Sequence, residues 1–198
     1  FDFNNEIKED ITLEAKWNAN KDTKYLVEHY KMDLKGKKIL FLGSSVTEGA
    51  SAGGTCFVEF VSEHYGADYI KAALSGTTLA DINEKSYVSR LKMVDVREKV
   101  DLFVCQLSTN DATKKIDLIE VEKAISFIID YVSEHFSCPM VFYTGTKYES
   151  PEYLKMVELL YDMKNRYDFY ILDLYNDEEM CGVSDENYKK YMRDPIHP

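Results

Sequence analysis

Two serines, Ser44 and Ser45, follow directly on the apolar run KILFLG in the stretch FLGSSVTEGASAGG, residues 41–54. Small residues just after an apolar strand let a ligand or a reacting group approach the backbone. Three chemistries use such a turn. A phosphate loop needs Gly, four residues, then Gly-Lys-Ser/Thr. Here five residues separate Gly43 from Gly49, and Ala50 stands where the lysine belongs. A dinucleotide turn needs G-x-G-x-x-G, and Ser45 fills the place of the second glycine. The third chemistry is a serine nucleophile. A hydroxyl at a strand end, opening a helix, has backbone N–H groups and the positive end of the helix dipole behind it. The turn is not the G-x-S-x-G elbow, because Thr47 replaces the last glycine.

A serine nucleophile also needs a base, an orienting acid and an oxyanion hole. The chain has four histidines. His29, His64 and His135 lie in VEHYK, SEHYG and SEHFS. Each falls near an expected helix end, where a cation suits the dipole. His197 differs. It lies in RDPIHP between Pro195 and Pro198, with Asp194 three residues before it. A loop stiffened by two prolines can hold Asp194 against Nδ1 while Nε2 faces a serine; the same residues could also form a plain turn. For the oxyanion, SGTT places Gly76 after a second apolar run, where a bare backbone N–H can approach a ligand. STND places Asn110 after a third, where its amide can donate.

The elements that must position these residues form a strand-then-helix series. Apolar strands are expected at 37–43, 67–74, 101–108, 139–145 and 168–175. Helical spacing occupies 55–66, 81–94, 116–136 and 151–167, the last opening on Pro151. Continuous apolar strands alternating with amphipathic helices predict a parallel sheet covered on both faces, a three-layer α/β/α sandwich. Ligands of such sheets sit beyond the carboxyl ends of the strands. Ser45, Gly76 and Asn110 all fall there.

Composition narrows the partners. The formal net charge is −11, from 24 Lys and Arg against 35 Asp and Glu. That argues against nucleic acid or an anionic membrane, both of which need a basic footprint. No run of 18 apolar residues exists, so no transmembrane segment is expected. Four scattered cysteines without a CxxC pair suggest neither a zinc site nor a disulfide framework. No metal and no cofactor are expected. Cys105, inside DLFVCQL, is expected to pack as a small hydrophobe.

The blocks GSS, SGTT, STND and DPIHP, in that order, resemble those of the SGNH (GDSL-type) hydrolases. The resemblance covers residues 37–198. It implies a flavodoxin-like fold with a five-stranded parallel sheet, in the order 2-1-3-4-5. It also implies Ser45 as nucleophile, Asp194 and His197 as its acid and base, and an oxyanion hole of Gly76, Asn110 and the Ser45 N–H. The family's Asp of G-D-S is Ser44 here, and its Gly of G-x-N-D is Ser108. The chain stops at Pro198, whereas the family usually continues into a last helix.

The start reads differently. In ITLEAKW, Ile11, Leu13, Ala15 and Trp17 alternate as on a half-buried strand. Residues 1–17 resemble the last strands of an internalin-type B repeat, a bacterial surface module. That implies a secreted or cell-surface parent protein, of which this chain, lacking a start Met, looks like a piece. Residues 18–36 are expected to be a linker with a short helix at 25–32. The family's substrates imply a small-molecule or carbohydrate ester, and the surface setting and acidic chain point to acetyl groups on carbohydrate. Hydrolysis, acyl transfer to a sugar hydroxyl, and non-catalytic carbohydrate or wall binding remain open.

Overall fold

A computed structural model describes residues 33–177, 186, 189–190 and 192–198. The chain divides into two units, Phe1–Asp33 and Leu34–Pro198. The strand expected at 11–17 and the helix at 25–32 lie outside the described residues. The elements that follow all belong to the second unit.

β1 (Lys38–Gly43) leads into the single turn α1 (Ser45–Glu48), a 3-10 turn at Ala50–Ala52, and α2 (Phe57–Tyr65). Then come β2 (Asp68–Ala73), α3 (Tyr87–Lys92), β3 (Leu102–Gln106), α4 (Thr109–Thr113) and α5 (Leu118–His135). The series closes with β4 (Met140–Tyr143), α6 (Pro151–Lys164) and β5 (Tyr170–Leu172). All strands pair in parallel, in the order β2-β1-β3-β4-β5. The expected sheet and its order are therefore found.

Local chemistry sets the helix ends. Glu59 reaches back to the Cys56 N–H at 2.8 Å and starts α2. Gly66, with φ 64°, closes it in the left-handed region that glycine enters freely. Asp117 caps α5 by accepting the Ile119 N–H at 2.9 Å. Along α5, Val121, Ala124, Ile125, Ile128, Ile129 and Val132 form one buried stripe.

That stripe, with α3 and α6, packs on the face of the sheet that carries Leu40, Leu42, Phe103, Cys105 and Phe142. Cys105 is fully buried there. The opposite face carries a smaller cluster, Ile39 and Phe41 with Val58 of α2, flanked by Leu34, Phe57 and Val104. Because Leu34 joins this cluster, the packed unit begins before residue 37.

Most elements are a little shorter than expected, and two are much shorter. The helix read over 81–94 forms only at Tyr87–Lys92. Side chains upstream bind locally instead: Asn83 Oδ1 captures the Lys85 backbone N–H at 2.9 Å, and Asp81 accepts the Ser86 hydroxyl at 2.5 Å. Ser86 then caps the helix through the Ser89 N–H at 3.0 Å. β5 keeps three residues, because Asp173 turns the chain by accepting the Tyr175 and Asn176 N–H groups at 3.0 and 3.2 Å.

Candidate active site

The site is built from β1 outward. A Cβ on Gly43 would overlap the Thr47 side chain and press on Gln106 Oε1, so only glycine lets α1 fold back this closely. Gln106, at the end of β3, accepts the Ser44 N–H at 2.9 Å and the Thr47 hydroxyl at 2.8 Å. Tyr143, at the end of β4, bonds the same Thr47 oxygen at 2.7 Å. The turn is thus gripped from two neighbouring strands. Ser44, where the SGNH pattern has Asp, is completely buried in this grip. Ser45 opens α1 and faces outward.

Ser45 Oγ lies 2.7 Å from His197 Nε2. His197 Nδ1 lies 2.8 Å from Asp194 Oδ2 and 3.0 Å from Oδ1. The loop that carries both residues holds its own shape. Asp194 Oδ1 accepts the N–H groups of Ile196 and His197 at 2.9 and 2.8 Å, and the Arg193 N–H donates to the His197 carbonyl at 2.8 Å. The Arg193 guanidinium also donates to the Ser51 carbonyl, joining the loop to the turn after α1. Burial acts to raise the Asp194 pKa. The Ile196 and His197 N–H groups and the His197 ring outweigh it, and hold the carboxyl below the usual carboxylate range. Asp194 therefore stays ionised at neutral pH.

The expected oxyanion donors follow β2 and β3. Gly76 has φ 74°, and the space beside its Cα is open. Asn110 Nδ2 gives one hydrogen to the Thr77 carbonyl at 3.0 Å, which leaves a second for a ligand. Ser108 has φ −74°, open to any residue, and its side chain is buried, so the loop before Asn110 needs no glycine.

Three residues that sequence reasoning missed hold these loops. Asp111 is fully buried and accepts the Leu79 and Ala80 N–H groups at 2.7 and 2.9 Å, fixing the loop after Gly76. Burial raises its pKa against those bonds. Arg90 of α3 donates to the Gly43 carbonyl and to Thr77 Oγ1, each at 2.9 Å, and to the Ala72 carbonyl. It ties the ends of β1 and β2 to the Gly76 loop, and burial lowers its pKa. Gln106 is the third. A lone polar residue ending an apolar strand is a legible signal for a buried polar role, and Asp111 stands inside STND. Arg90 gave no signal, since its type and place suit any exposed helix face.

Beside Ser45 and His197 opens a cavity of about 600 Å³, walled by α2, the ends of β3 to β5 and the turn after α1.

The comparisons agree with this architecture. The profile of the GDSL-like Lipase/Acylhydrolase family matches residues 41–198. The chain therefore belongs to that family, the serine ester hydrolases of SGNH type. No curated protein matches it. Among solved structures, a protein from Lactobacillus plantarum is 15% identical with a TM-score of 0.69, over 83% of this chain and 89% of that one. A putative SGNH hydrolase from Slackia heliotrinireducens is 19% identical with a TM-score of 0.63, over 83% and 91%. AlinE4, an SGNH-hydrolase family esterase, is 21% identical with a TM-score of 0.60, over 83% and 87%. At such identities the likeness speaks for the fold.

Proposed function

We propose that this chain hydrolyses carboxylic esters through an acyl-enzyme on Ser45. The observation that carries the reading is His197, within hydrogen-bond reach of Ser45 Oγ on one side and Asp194 on the other, at 2.7 and 2.8 Å. Ser45 Oγ attacks the ester carbonyl as His197 Nε2 takes its proton. The carbonyl oxygen becomes an oxyanion, which the Ser45 and Gly76 N–H groups and the Asn110 amide stabilise. The intermediate collapses, and His197 returns the proton to the departing alcohol. Water then enters and attacks the acyl carbonyl as it loses a proton to the same imidazole; His197 returns that proton to Ser45 Oγ as the acid leaves. Asp194 holds the ring in the tautomer with Nε2 free and offsets its positive charge.

The test is turnover of p-nitrophenyl acetate and labelling by a fluorophosphonate. Ser45→Ala is expected to abolish both while the circular dichroism stays native, because alanine fits the turn. Persistent activity in Ser45→Ala, lost instead in Ser44→Ala, would assign the nucleophile to the other serine. A sugar acceptor added to the assay separates hydrolysis from acyl transfer. A secreted or cell-surface setting belongs to the reading through the repeat-like start alone, and fractionation of the source cells tests it.

A further inference from the structure

Two of the donors assigned to the oxyanion belong to different strand ends. The Ser45 N–H opens α1 after β1, and the Gly76 N–H lies in the loop after β2. Neighbouring strands keep each other in register, but that register does not extend to Gly76. Past Ala73, the Leu74 N–H still meets the Gly43 carbonyl at 3.3 Å. Gly76 stands two residues further on, exposed, with φ 74°. Glycine has more backbone freedom than any other residue, so the direction of its N–H depends on how its neighbours are held.

Side chains from three helices hold them. The Glu48 carboxylate of α1 accepts the Ser75 N–H at 2.8 Å and the Ser75 hydroxyl as well, both on the same oxygen, Oε2. Arg90 of α3 donates to Thr77 Oγ1 at 2.9 Å. Lys114, at the end of α4, donates to the Gly76 carbonyl at 2.7 Å. Of these three, Glu48 is the one that shares its helix with Ser45. Its backbone is fastened on both sides: the N–H donates to the Ser44 carbonyl at 2.8 Å, and the carbonyl accepts the Lys71 ammonium at 3.2 Å. Thr77 in turn accepts the Asn110 amide on its carbonyl at 3.0 Å. A continuous path of covalent and hydrogen bonds therefore runs from Ser45 through Glu48, Ser75, Gly76 and Thr77 to Asn110.

We propose that Glu48 is a positioning residue for the oxyanion hole: its carboxylate oxygen sets the Gly76 N–H against the helix that carries Ser45. The inference rests on Ser45 being the nucleophile and Gly76 a donor to the oxyanion. The charge of Glu48 is no help there, because a carboxylate bonded to the residue before Gly76 opposes the negative charge that develops on the substrate. What the site uses is an acceptor at the end of a two-methylene arm. Both bonds fall on one oxygen, so the amide oxygen of a glutamine, with the same reach, can accept both. Aspartate keeps the charge and is one methylene too short.

The experiment takes the full chain and its Glu48→Ala, Glu48→Asp and Glu48→Gln variants. The substrates are p-nitrophenyl acetate and its thiono counterpart, in which sulfur replaces the carbonyl oxygen. Donors aimed at an oxygen stabilise charge on the larger sulfur poorly. The ratio of kcat/KM for ester over thionoester therefore reads the alignment of the hole, and a smaller folded fraction cancels in it. Glu48→Ala and Glu48→Asp are expected to lower kcat on the ester about 10- to 100-fold with KM nearly unchanged, and to lower the ratio about tenfold. Glu48→Gln is expected to recover most of both losses.

An active Asp variant beside an inactive Gln variant overturns the proposal, by making the charge the useful part. Equal losses on ester and thionoester overturn it too, since Glu48 would then be a general support of the fold. Full activity in Glu48→Ala does the same. Failure of the underlying reading looks different: ester turnover then survives Ser45→Ala, and no fluorophosphonate labels Ser45.

Discussion

Under the proposed mechanism Asn110 divides one amide between two tasks. One hydrogen fixes the side chain to the Thr77 carbonyl at 3.0 Å, and the other meets charge that appears only in the transition state. Asn110→Ala is therefore expected to lower kcat by roughly 10² to 10³ and leave KM nearly unchanged. Steady-state kinetics on p-nitrophenyl acetate decide it; a large KM rise at constant kcat would make Asn110 a substrate-binding residue. The sequence singled out Ser45, Asp194, His197, Gly76 and Asn110 because their types are uncommon in their settings: a histidine between prolines, a glycine or an amide just past a strand. The residues that hold them were not legible to the same degree. Gln106 and Arg90 act through partners far away in the chain, and the contact of Gln106 with the Ser44 N–H spans 62 positions. Periodicity cannot display such a contact.

Between elements, the most consequential link joins α2 to β2. Lys71 lies 2.5 Å from Glu59, and its ammonium also donates to the Glu48 and Gly54 carbonyls at 3.2 and 3.0 Å. It thus fastens the chain just after the nucleophile to the sheet. Burial alone would raise the Glu59 pKa. The Lys71 ammonium and the Cys56 N–H outweigh it and hold the carboxyl at about 2, against an ordinary 4.5. Since the folded value is the lower one, Glu59 stabilises the fold fully above pH 4.5, and that contribution fades as pH falls towards about 2. A partly buried pair that water still reaches is worth about 1 kcal/mol, or about 2–4 °C in Tm for a chain of this size. Melting curves of wild type and Glu59→Gln should differ by that much at neutral pH and converge in acid. An unchanged gap near pH 2 would assign the difference to something other than the ion pair. The strands and long helices were readable from hydropathy, because burial on a periodic scaffold leaves a periodic trace. The start of α3 was not, because Asn83 and Ser86 take backbone N–H groups locally while Asp81 holds the Ser86 hydroxyl, and that competition is a matter of geometry.

At the scale of the described residues together, the two faces of the sheet carry unequal loads. The core under α3, α5 and α6 holds most of the buried apolar side chains, and the cluster under α2 holds few. Ser45, the loops of Gly76 and Asn110 and their anchors Gln106, Asp111 and Arg90 all belong to the sheet and to the helices that follow its strands. His197 and Asp194 do not. They ride on residues 193–198, a loop that, among the described residues, bonds to itself and outward through Arg193 to the Ser51 carbonyl and through His197 to Ser45. Segments held by exposed polar bonds open at a smaller free-energy cost than the core that carries them. Catalysis and folding should then come apart in denaturant. In a urea titration, ester hydrolysis is expected to vanish at a lower concentration than the helical circular dichroism, and to return at once on dilution. Coincident curves would mean that the loop opens only when the entire sheet does. The enzyme would accordingly carry its own reversible off-state, reached by detaching one histidine rather than by unfolding.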